Sequence, residues 1–417
     1  MRPFEYTFLT LIKVVEEQLP FRLALQSAFK SQKRMLDSSF KASVASMSGC
    51  VLRNYYLFKE IVNRKYPELK ENKFLLIAIG LANHAIKNEF DEVDLFKFIE
   101  KETELEDAID FIKGYDNPLS LMPKDIPLHS HKYYSLRCNI PLWVVRMWHR
   151  NCGESLSRRI FLAVSRFKNV DVRINFQNIS NEEFFEKYHD FAKSDTPNYA
   201  TYTGEGRLRK HPALVDDALF IPKGYKYIFD DLDLDPIRGI AAYCGSNNHI
   251  LEELYLRLGN DFKIDYVCGH QKHYFETLTL VKQLKLSNVS TYEVDVDALR
   301  TCISKPVHNF FLCPRNSNFE QLMYQPDFFL SCDQELLDEY INEETKSLNE
   351  AASLVEDGGY IIYLVPTLCR NETKTVVHEF VNNNPDYKLE KELQLLPLEK
   401  FKTMLYFAVI RKEVNHD

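Results

Sequence analysis

Three cysteines stand where short apolar runs end. Cys244 closes "RGIAAYC", Cys313 closes "VHNFFLC", and Cys369 follows "GGYIIYLVP" by three residues. A thiol at the carboxyl end of a buried strand sits where open α/β sheets keep their ligands and nucleophiles. Cys313 and Cys369 are therefore the two candidate catalytic thiols. The position directly after the last of these runs is Pro366, which offers no nucleophile. A second chemistry is suggested by basic residues interleaved with aromatic ones. "KYYSLRCNIPLWVVRMWHR", "SRRIFLAVSRFK" and "GEGRLRKH" carry them, the last with Arg207, Arg209 and Lys210 beside Tyr199 and Tyr202. Phosphates favour Arg and Lys, and unstacked bases favour aromatic rings; the alternative is solvated helix faces and core aromatics, and for "GEGRLRKH" the two readings are even. Two further groups could suggest a metal: His129 with His131, and Cys268 with His270 and His273. Neither group has a fourth ligand nearby, so both read better as loop residues, and no metal is expected.

These residues must be positioned by several domains, because 417 residues exceed one ordinary core. The first part is helical in pattern. "FEYTFLTLIKVVEEQL" puts Phe4, Phe8, Leu11, Ile12 and Val15 on one face, and Pro67 ends a second helix. "ENKFLLIAIGLANHAIKNEF" is apolar around most of its circumference, which predicts the central helix of a bundle. After a connector rich in Pro, Ser and Asn, a mixed stretch follows. It holds two helices, an alternating strand at "NVDVRINFQ", a helix capped by Asn181, and a hairpin or turn around Lys223-Gly224. From Arg238 onward, apolar strands alternate with helices down to a final strand, "KTMLYFAVIRKE". That alternation predicts a doubly wound α/β sheet. The expected domains are a helical bundle over 1–125, a small α+β module over 126–235 and an α/β domain over 236–417.

The bulk properties narrow the class. A net charge of −8 gives no global basic field, and nine scattered cysteines without a CxxC pair argue for reduced thiols inside a cell. The first residues, "MRPFEYTFLTLIKVVEEQLPF", carry Glu5, Lys13, Glu16 and Glu17, so neither a signal peptide nor a membrane span is expected there. The expectation is a cytoplasmic protein without a membrane partner.

The order of these modules resembles the RsmB/Sun family of RNA cytosine-C5 methyltransferases, in the form that carries an N-terminal NusB-like helical domain. "VLRNYYLFKEIVNRK" with "LLIAIGLANHAI" resembles the NusB-like part, and "YYSLRCNIPLWVVRMWHRNCG" looks like the first helices of the middle domain. "VDVRIN" is similar to that domain's Arg-x-Asn strand, with Arg173 and Asn175 matching. "YKYIFDD" resembles the segment before the catalytic domain, and "LVEDGGYIIYLVPT" and "MLYFAVIRKE" its last strands. The resemblance implies an all-α NusB-like bundle, an α+β RNA-binding module using Arg173 and Asn175, and a Rossmann-type domain that takes S-adenosylmethionine (SAM).

The family's chemical motifs are altered. Its Pro-Gly-Gly-Lys cofactor loop is shortened here to "CGSNN", leaving Cys244, Gly245, Ser246 and Asn247 as a minimal cofactor loop or, more simply, a strand–helix turn. The second strand ends in Cys268 and Gly269 where a ribose-binding carboxylate is usual. Asp295 or Asp297 stands where the family has an acidic residue near the adenine, Asp295 being the nearer to the strand. Methylation at cytosine C5 needs a thiolate that adds to C6, a carboxyl partner and a second cysteine. Counting back from Gln325-Pro326, Cys313 falls at the family's Asp and Asn316 at its Cys, while Pro366 takes the place of the attacking thiol and Thr367 that of the following Ser. A thiol moved along the chain by a few residues loses its aim, since ~1 Å of misplacement costs on the order of 10²-fold.

The leading expectation is an RsmB-like protein that binds ribosomal RNA or a ribosomal subunit precursor without methylating it and without SAM. The first alternative is an active SAM-dependent 16S rRNA cytosine-C5 methyltransferase with rearranged motifs. The second is a NusB-like transcription antitermination or ribosome-assembly factor.

Overall fold

The computed structural model describes residues 2–30, 36–86, 89–115, 122–166, 170–204, 208, 211–230, 232, 234, 237–245, 248–260, 262–398 and 401–414. They form two compact units. The first unit comprises Met1–Arg166 with Gln321–Asp333, and the second Phe167–Glu320 with Gln334–Asp417.

The first unit is helical: α1 (Pro3–Val15), α2 (Phe21–Lys30), α3 (Ser38–Arg53), α4 (Tyr55–Lys65), α5 (Glu71–Ala85), α6 (Glu92–Thr103), α7 (Ala108–Lys113), α8 (His131–Cys138), α9 (Leu142–Cys152) and α10 (Glu154–Ser165). As its sequence predicts, α5 is the central helix: every residue from Phe74 to Asn83 is buried. It packs against α1, α3, α4, α6 and α7. Gly80 permits the closest of these approaches, since a Cβ there would lie 2.6 Å from Ile112 Cδ1 and 3.0 Å from Ile99 Cδ1. The segment Gln321–Asp333 also belongs to this unit. Its Phe329 ring lies 5.1 Å from Tyr55 and 5.0 Å from Tyr56, and Asp327 Oδ2 accepts the Phe21 N–H at 2.8 Å.

The second unit opens with a four-stranded antiparallel sheet, order β2-β3-β1-β4, from β1 (Asp171–Ile174), β2 (Phe191–Lys193), β3 (Tyr199–Tyr202) and β4 (Ala218–Leu219). Two short helices, α11 (Asn181–Lys187) and α12 (Ala213–Asp216), join these strands. Ser180, not Asn181, caps α11: its hydroxyl accepts the Glu183 N–H while the Glu183 carboxylate accepts the Ser180 N–H. The expected turn at Lys223-Gly224 is instead the first turn of α13 (Lys223–Asp230). Burial of Tyr225, Ile228 and Phe229 on one face outweighs the glycine, and Lys223 is anchored by Asp171 and Asp195 at 3.1 and 2.8 Å.

The seven-stranded sheet has the order β10-β11-β9-β8-β5-β6-β7. Its strands are β5 (Ile240–Cys244), β6 (Ile264–Cys268), β7 (Val289–Glu293), β8 (Val307–Cys313), β9 (Val355–Val365), β10 (Tyr387–Leu395) and β11 (Leu405–Lys412). β9 to β7 run parallel, and β11 and β10 are antiparallel additions. Residues of α13, α14 (His249–Leu258) and α15 (Gln271–Gln283) share a core with one face of the sheet. Residues of α16 (Leu299–Cys302), α17 (Leu336–Ala352) and α18 (Lys374–Asn383) share a core with the other. This is a Rossmann-like mixed α/β fold. The order reverses between β5 and β8, so the loops at their carboxyl ends mark the expected ligand crevice.

Candidate functional site

The carboxyl edge gathers five loops, after β5, β6, β7, β8 and β9. Cys244, Cys268 and Cys313 lie side by side there, since Cys244 pairs in register with both others. All three are sealed from solvent. Burial pushes the Cys244 thiol well above its ordinary range and the Cys268 thiol up to about 11.

The turn after β5 is held from two sides. The Gly245 N–H donates to the Cys313 carbonyl at 2.7 Å, and a Cβ on Gly245 would meet the Arg315 backbone nitrogen at 2.7 Å. The glycine thus admits the backbone of the β8 loop. From the other side, His273 Nδ1 lies 2.9 Å from the Cys244 carbonyl and its Nε2 2.9 Å from Asn248 Oδ1, which also accepts the Thr277 hydroxyl at 2.7 Å. His273 is therefore a fastener between α15 and this turn. Ser246 and Asn247 lie outside the described residues. At the end of β6, a Cβ on Gly269 would meet the Tyr243 hydroxyl at 2.7 Å, and the next residue, His270, caps α15 by accepting the His273 N–H. Asp295 is exposed after β7. SAM would need a glycine turn open to the cofactor and a ribose-binding carboxylate after β6. Among the described residues Gly245 faces the backbone of the β8 loop, and β6 ends in Cys268 and Gly269, without a carboxylate there.

The loops after β8 and β9 are locked around Glu372, which is fully buried. Its carboxylate accepts the Ser317 N–H at 2.6 Å and the Ser317 hydroxyl at 2.5 Å, with the Thr367 hydroxyl at 3.3 Å. The Pro366 carbonyl accepts the Glu320 N–H at 3.2 Å, and Asn316 turns its amide onto the Pro314 carbonyl at 2.8 Å and accepts the Asn318 N–H. Cys369 is 2% exposed, and burial pushes its thiol up to about 12. A thiol held that high carries almost no thiolate at neutral pH. Sequence reasoning did not single out Glu372 or its neighbour Glu344. No spacing rule marks them, because the sheet brings together residues far apart in the chain.

Arg173 and Asn175 are placed by β1 and its exit, and both are buried. The Arg173 guanidinium lies 3.3 Å from Glu253, donates to the Pro197 carbonyl at 3.2 Å, and rests on the Tyr199 and Phe176 rings. Asn175 donates to the Asp216 carbonyl at 2.7 Å. In this structure both tie the small sheet together. Arg207, Arg209 and Lys210 lie outside the described residues. On α9, by contrast, Arg146 and Arg150 are exposed one turn apart, with no acidic partner among the described residues, and Arg159 on α10 is exposed in the same way. His129 accepts or donates to the Tyr134 hydroxyl, and His131 packs on His149. Among the described residues no group of three or more His, Cys, Asp or Glu is placed to hold a metal, and no helix is long and apolar enough to cross a membrane.

The chain is a protein of the Rossmann-like α/β class, and its fold recurs in solved structures. PH0851 is similar over 99% of both chains, with a TM-score of 0.77 and 14% identity. A methyltransferase homolog protein from Pyrococcus horikoshii covers 70% of this chain and 100% of its own, with a TM-score of 0.55 and 14% identity. NSun6 from Pyrococcus horikoshii, solved with SFG, covers 69% of this chain and 99% of its own, with a TM-score of 0.57 and 12% identity. At these identities the likeness is one of fold. No model of a known protein family and no curated protein matches the chain.

Proposed function

We propose that this chain is an RNA-binding protein of RsmB-like descent that no longer transfers a methyl group. The observation that carries the reading is the sealed carboxyl edge, where Pro366 and Asn316 stand at the positions of the family's two cysteines. Cys313 and Cys369, the thiols that could replace them, are buried. Cytosine C5 chemistry needs a thiolate within reach of an extruded base, and a buried thiol meets neither condition. The exposed pair Arg146 and Arg150 supports the RNA half of the reading, since arginines without acidic partners suit phosphate. The fold shared with the Pyrococcus horikoshii methyltransferase homolog supports descent from an enzyme of that kind. The RNA is ribosomal RNA or a ribosomal subunit precursor, in keeping with the modules that resemble the RsmB/Sun family.

Calorimetry with SAM and co-sedimentation with ribosomal subunits test the two halves separately. The expected result is no heat at millimolar SAM and salt-sensitive co-sedimentation. Micromolar SAM binding overturns the loss of methyl transfer and favours the active methyltransferase. Absence from ribosomal subunits and from RNA overturns the RNA half.

A further inference from the structure

A cleft of about 550 Å³ opens at the amino end of β8 and β9, the opposite edge of the sheet from the loops described above. Its origin is a break in register. Val307 pairs with Val355, but Asn309 pairs with Tyr360, so two steps of β8 span five of β9. The extra residues of β9 loop out around Gly358, which has φ +76°. A Cβ on Gly359 would meet the His308 carbonyl at 2.7 Å, so the bulge requires both glycines.

The bulge leaves an apolar floor beneath a wall that carries Arg238, Lys391 and Arg411 together with Glu390. Tyr360 and Ile362 are two residues apart on β9 and so share a face of the sheet. Their register partners on β11 are Arg411 and Val409, so Tyr360 sits beside Arg411 and Ile362 beside Val409. The Arg411 guanidinium lies 5.9 Å from the centre of the Tyr360 ring and spends one nitrogen on Glu390 at 3.4 Å. Arg238 spends one nitrogen on Glu356 at 2.9 Å, and His308 Nδ1 reaches the same carboxylate oxygen at 3.0 Å. Each guanidinium keeps further N–H donors. Lys391 also lines the cleft. Asn309 lines it as well: the residue is 3% exposed, and its Nδ2 meets no hydrogen-bond acceptor among the described residues. A buried amide donor without an acceptor is costly unless a ligand supplies one.

We propose that this cleft binds a nucleotide. The phosphate lies against Arg238 and Arg411, the planar base lies over Tyr360 beside Ile362 and Val409, and Asn309 supplies an amide donor to an acceptor on the ligand. Paired guanidinium groups suit phosphate, an aromatic ring with an apolar floor suits a base, and the volume lies in the range of small-ligand sites. The site is independent of the RNA-binding reading of the helical unit. The nucleotide is either free or part of a single strand, and the chemistry at the cleft is the same.

The test is calorimetry on the full chain with AMP, adenosine, inorganic phosphate and a short single-stranded oligoadenylate. AMP is expected to bind, with adenosine and inorganic phosphate each weaker by at least about tenfold. Arg238→Gln and Arg411→Gln are each expected to weaken AMP by about fivefold or more, with thermal melts unchanged because both side chains are half-exposed. An oligoadenylate that competes with AMP identifies the strand as the source, and one that does not identifies the free nucleotide. No heat with AMP at millimolar concentration overturns the proposal. So does AMP binding that survives both substitutions together, or phosphate binding as tight as AMP binding.

Discussion

Arg173 and Glu253 face each other at 3.3 Å with both side chains withdrawn from solvent. One stands on the first strand of the small sheet and the other on the helix after the first strand of the large sheet, so the pair fastens two sheets of one unit. Burial holds the Glu253 carboxyl above its ordinary range, and Arg173 and Arg257 pull it back. A buried pair of this kind is worth little against an apolar replacement, but removing one partner strands the other. Glu253→Ala is therefore expected to cost about 3–5 kcal/mol in urea unfolding. The double substitution Arg173→Met with Glu253→Leu is expected to cost much less than the sum of the single changes. Additive losses would mean that the two groups do not act as a pair.

Glu344 and Glu372 give the stability a pH dependence. Among the described residues neither carboxyl oxygen of Glu344 meets a donor at bonding distance; the nearby Tyr363 hydroxyl, which draws the Glu344 pKa down, donates to the Glu372 backbone carbonyl at 2.8 Å. Burial, reinforced by the charge of Glu372, holds the Glu344 carboxyl well above the ordinary 4.5, and burial also raises Glu372. A carboxyl raised in the folded state binds more protons there than in the unfolded chain, so stability falls as pH rises above the ordinary value. Glu344→Gln keeps the shape without the charge. It is expected to stabilise the protein by about 1–3 kcal/mol at neutral pH. The gain should shrink as pH falls through 4.5 and vanish below it, where the wild-type carboxyl is protonated in both states. Melting curves from acid to neutral pH check this, and a gain that grows in acid would refute the assignment.

The inner parallel strands were legible because both their faces are buried, which leaves near-continuous apolar runs such as Phe310–Cys313 and Ile361–Val365. The central helix was legible for the same reason, being apolar all round. β10 was not legible: an edge strand with Lys388, Glu390, Lys391 and Glu392 reads as a polar tail, and such charges are what an exposed edge needs. The short strands β2 and β4 offer too few residues for a period to show. At the candidate site, the positions of Cys313 and Pro366 followed from counting along strands. Their burial did not, because the loops around them are held by Glu372 and Ser317, which lie 55 residues apart in the chain. For Arg173 the resemblance implied RNA binding, and its buried ion pair was not legible for the same reason: its partner Glu253 is distant in sequence.

The two glycines of the β9 bulge should differ in their cost of replacement. Gly358 has φ +76°, but a Cβ there would meet only Val414 Cγ2, at 3.5 Å. Gly358→Ala is expected to cost about 1–2 kcal/mol, the conformational penalty of the left-handed region. At Gly359 the Cβ would meet two backbone carbonyls, of His308 at 2.7 Å and Glu356 at 2.9 Å. Gly359→Ala is expected to cost more, since a backbone shift adds about 1–3 kcal/mol of overpacking strain and carries Tyr360 with it. Thermal melts rank the two variants. A milder effect at Gly359 would mean that the bulge adjusts freely.

The closing prediction concerns the thiols, because access to them separates a sealed edge from a working one. Cys138, Cys244, Cys268, Cys313 and Cys369 are buried, while Cys50, Cys152, Cys302 and Cys332 are partly exposed; of these, burial pushes the Cys50 thiol up to about 11 and raises that of Cys332 further. Thiol-disulfide reagents attack through the thiolate and need access, so both burial and the raised Cys369 thiol slow the reaction. Under native conditions a disulfide reagent such as DTNB, with reacted positions read by mass spectrometry after blocking, is expected to label Cys302 and Cys152 first. Cys313 and Cys369 should react only at the rate of unfolding, and a mild denaturant should accelerate them together with Cys244. Adding single-stranded RNA discriminates further. If RNA opens the edge, Cys313 becomes reactive at once, and the thiol regains the access that cytosine chemistry requires. If RNA binds on the helical unit alone, Cys313 stays protected at every RNA concentration, the outcome that follows from Glu372 holding the loops after β8 and β9 shut.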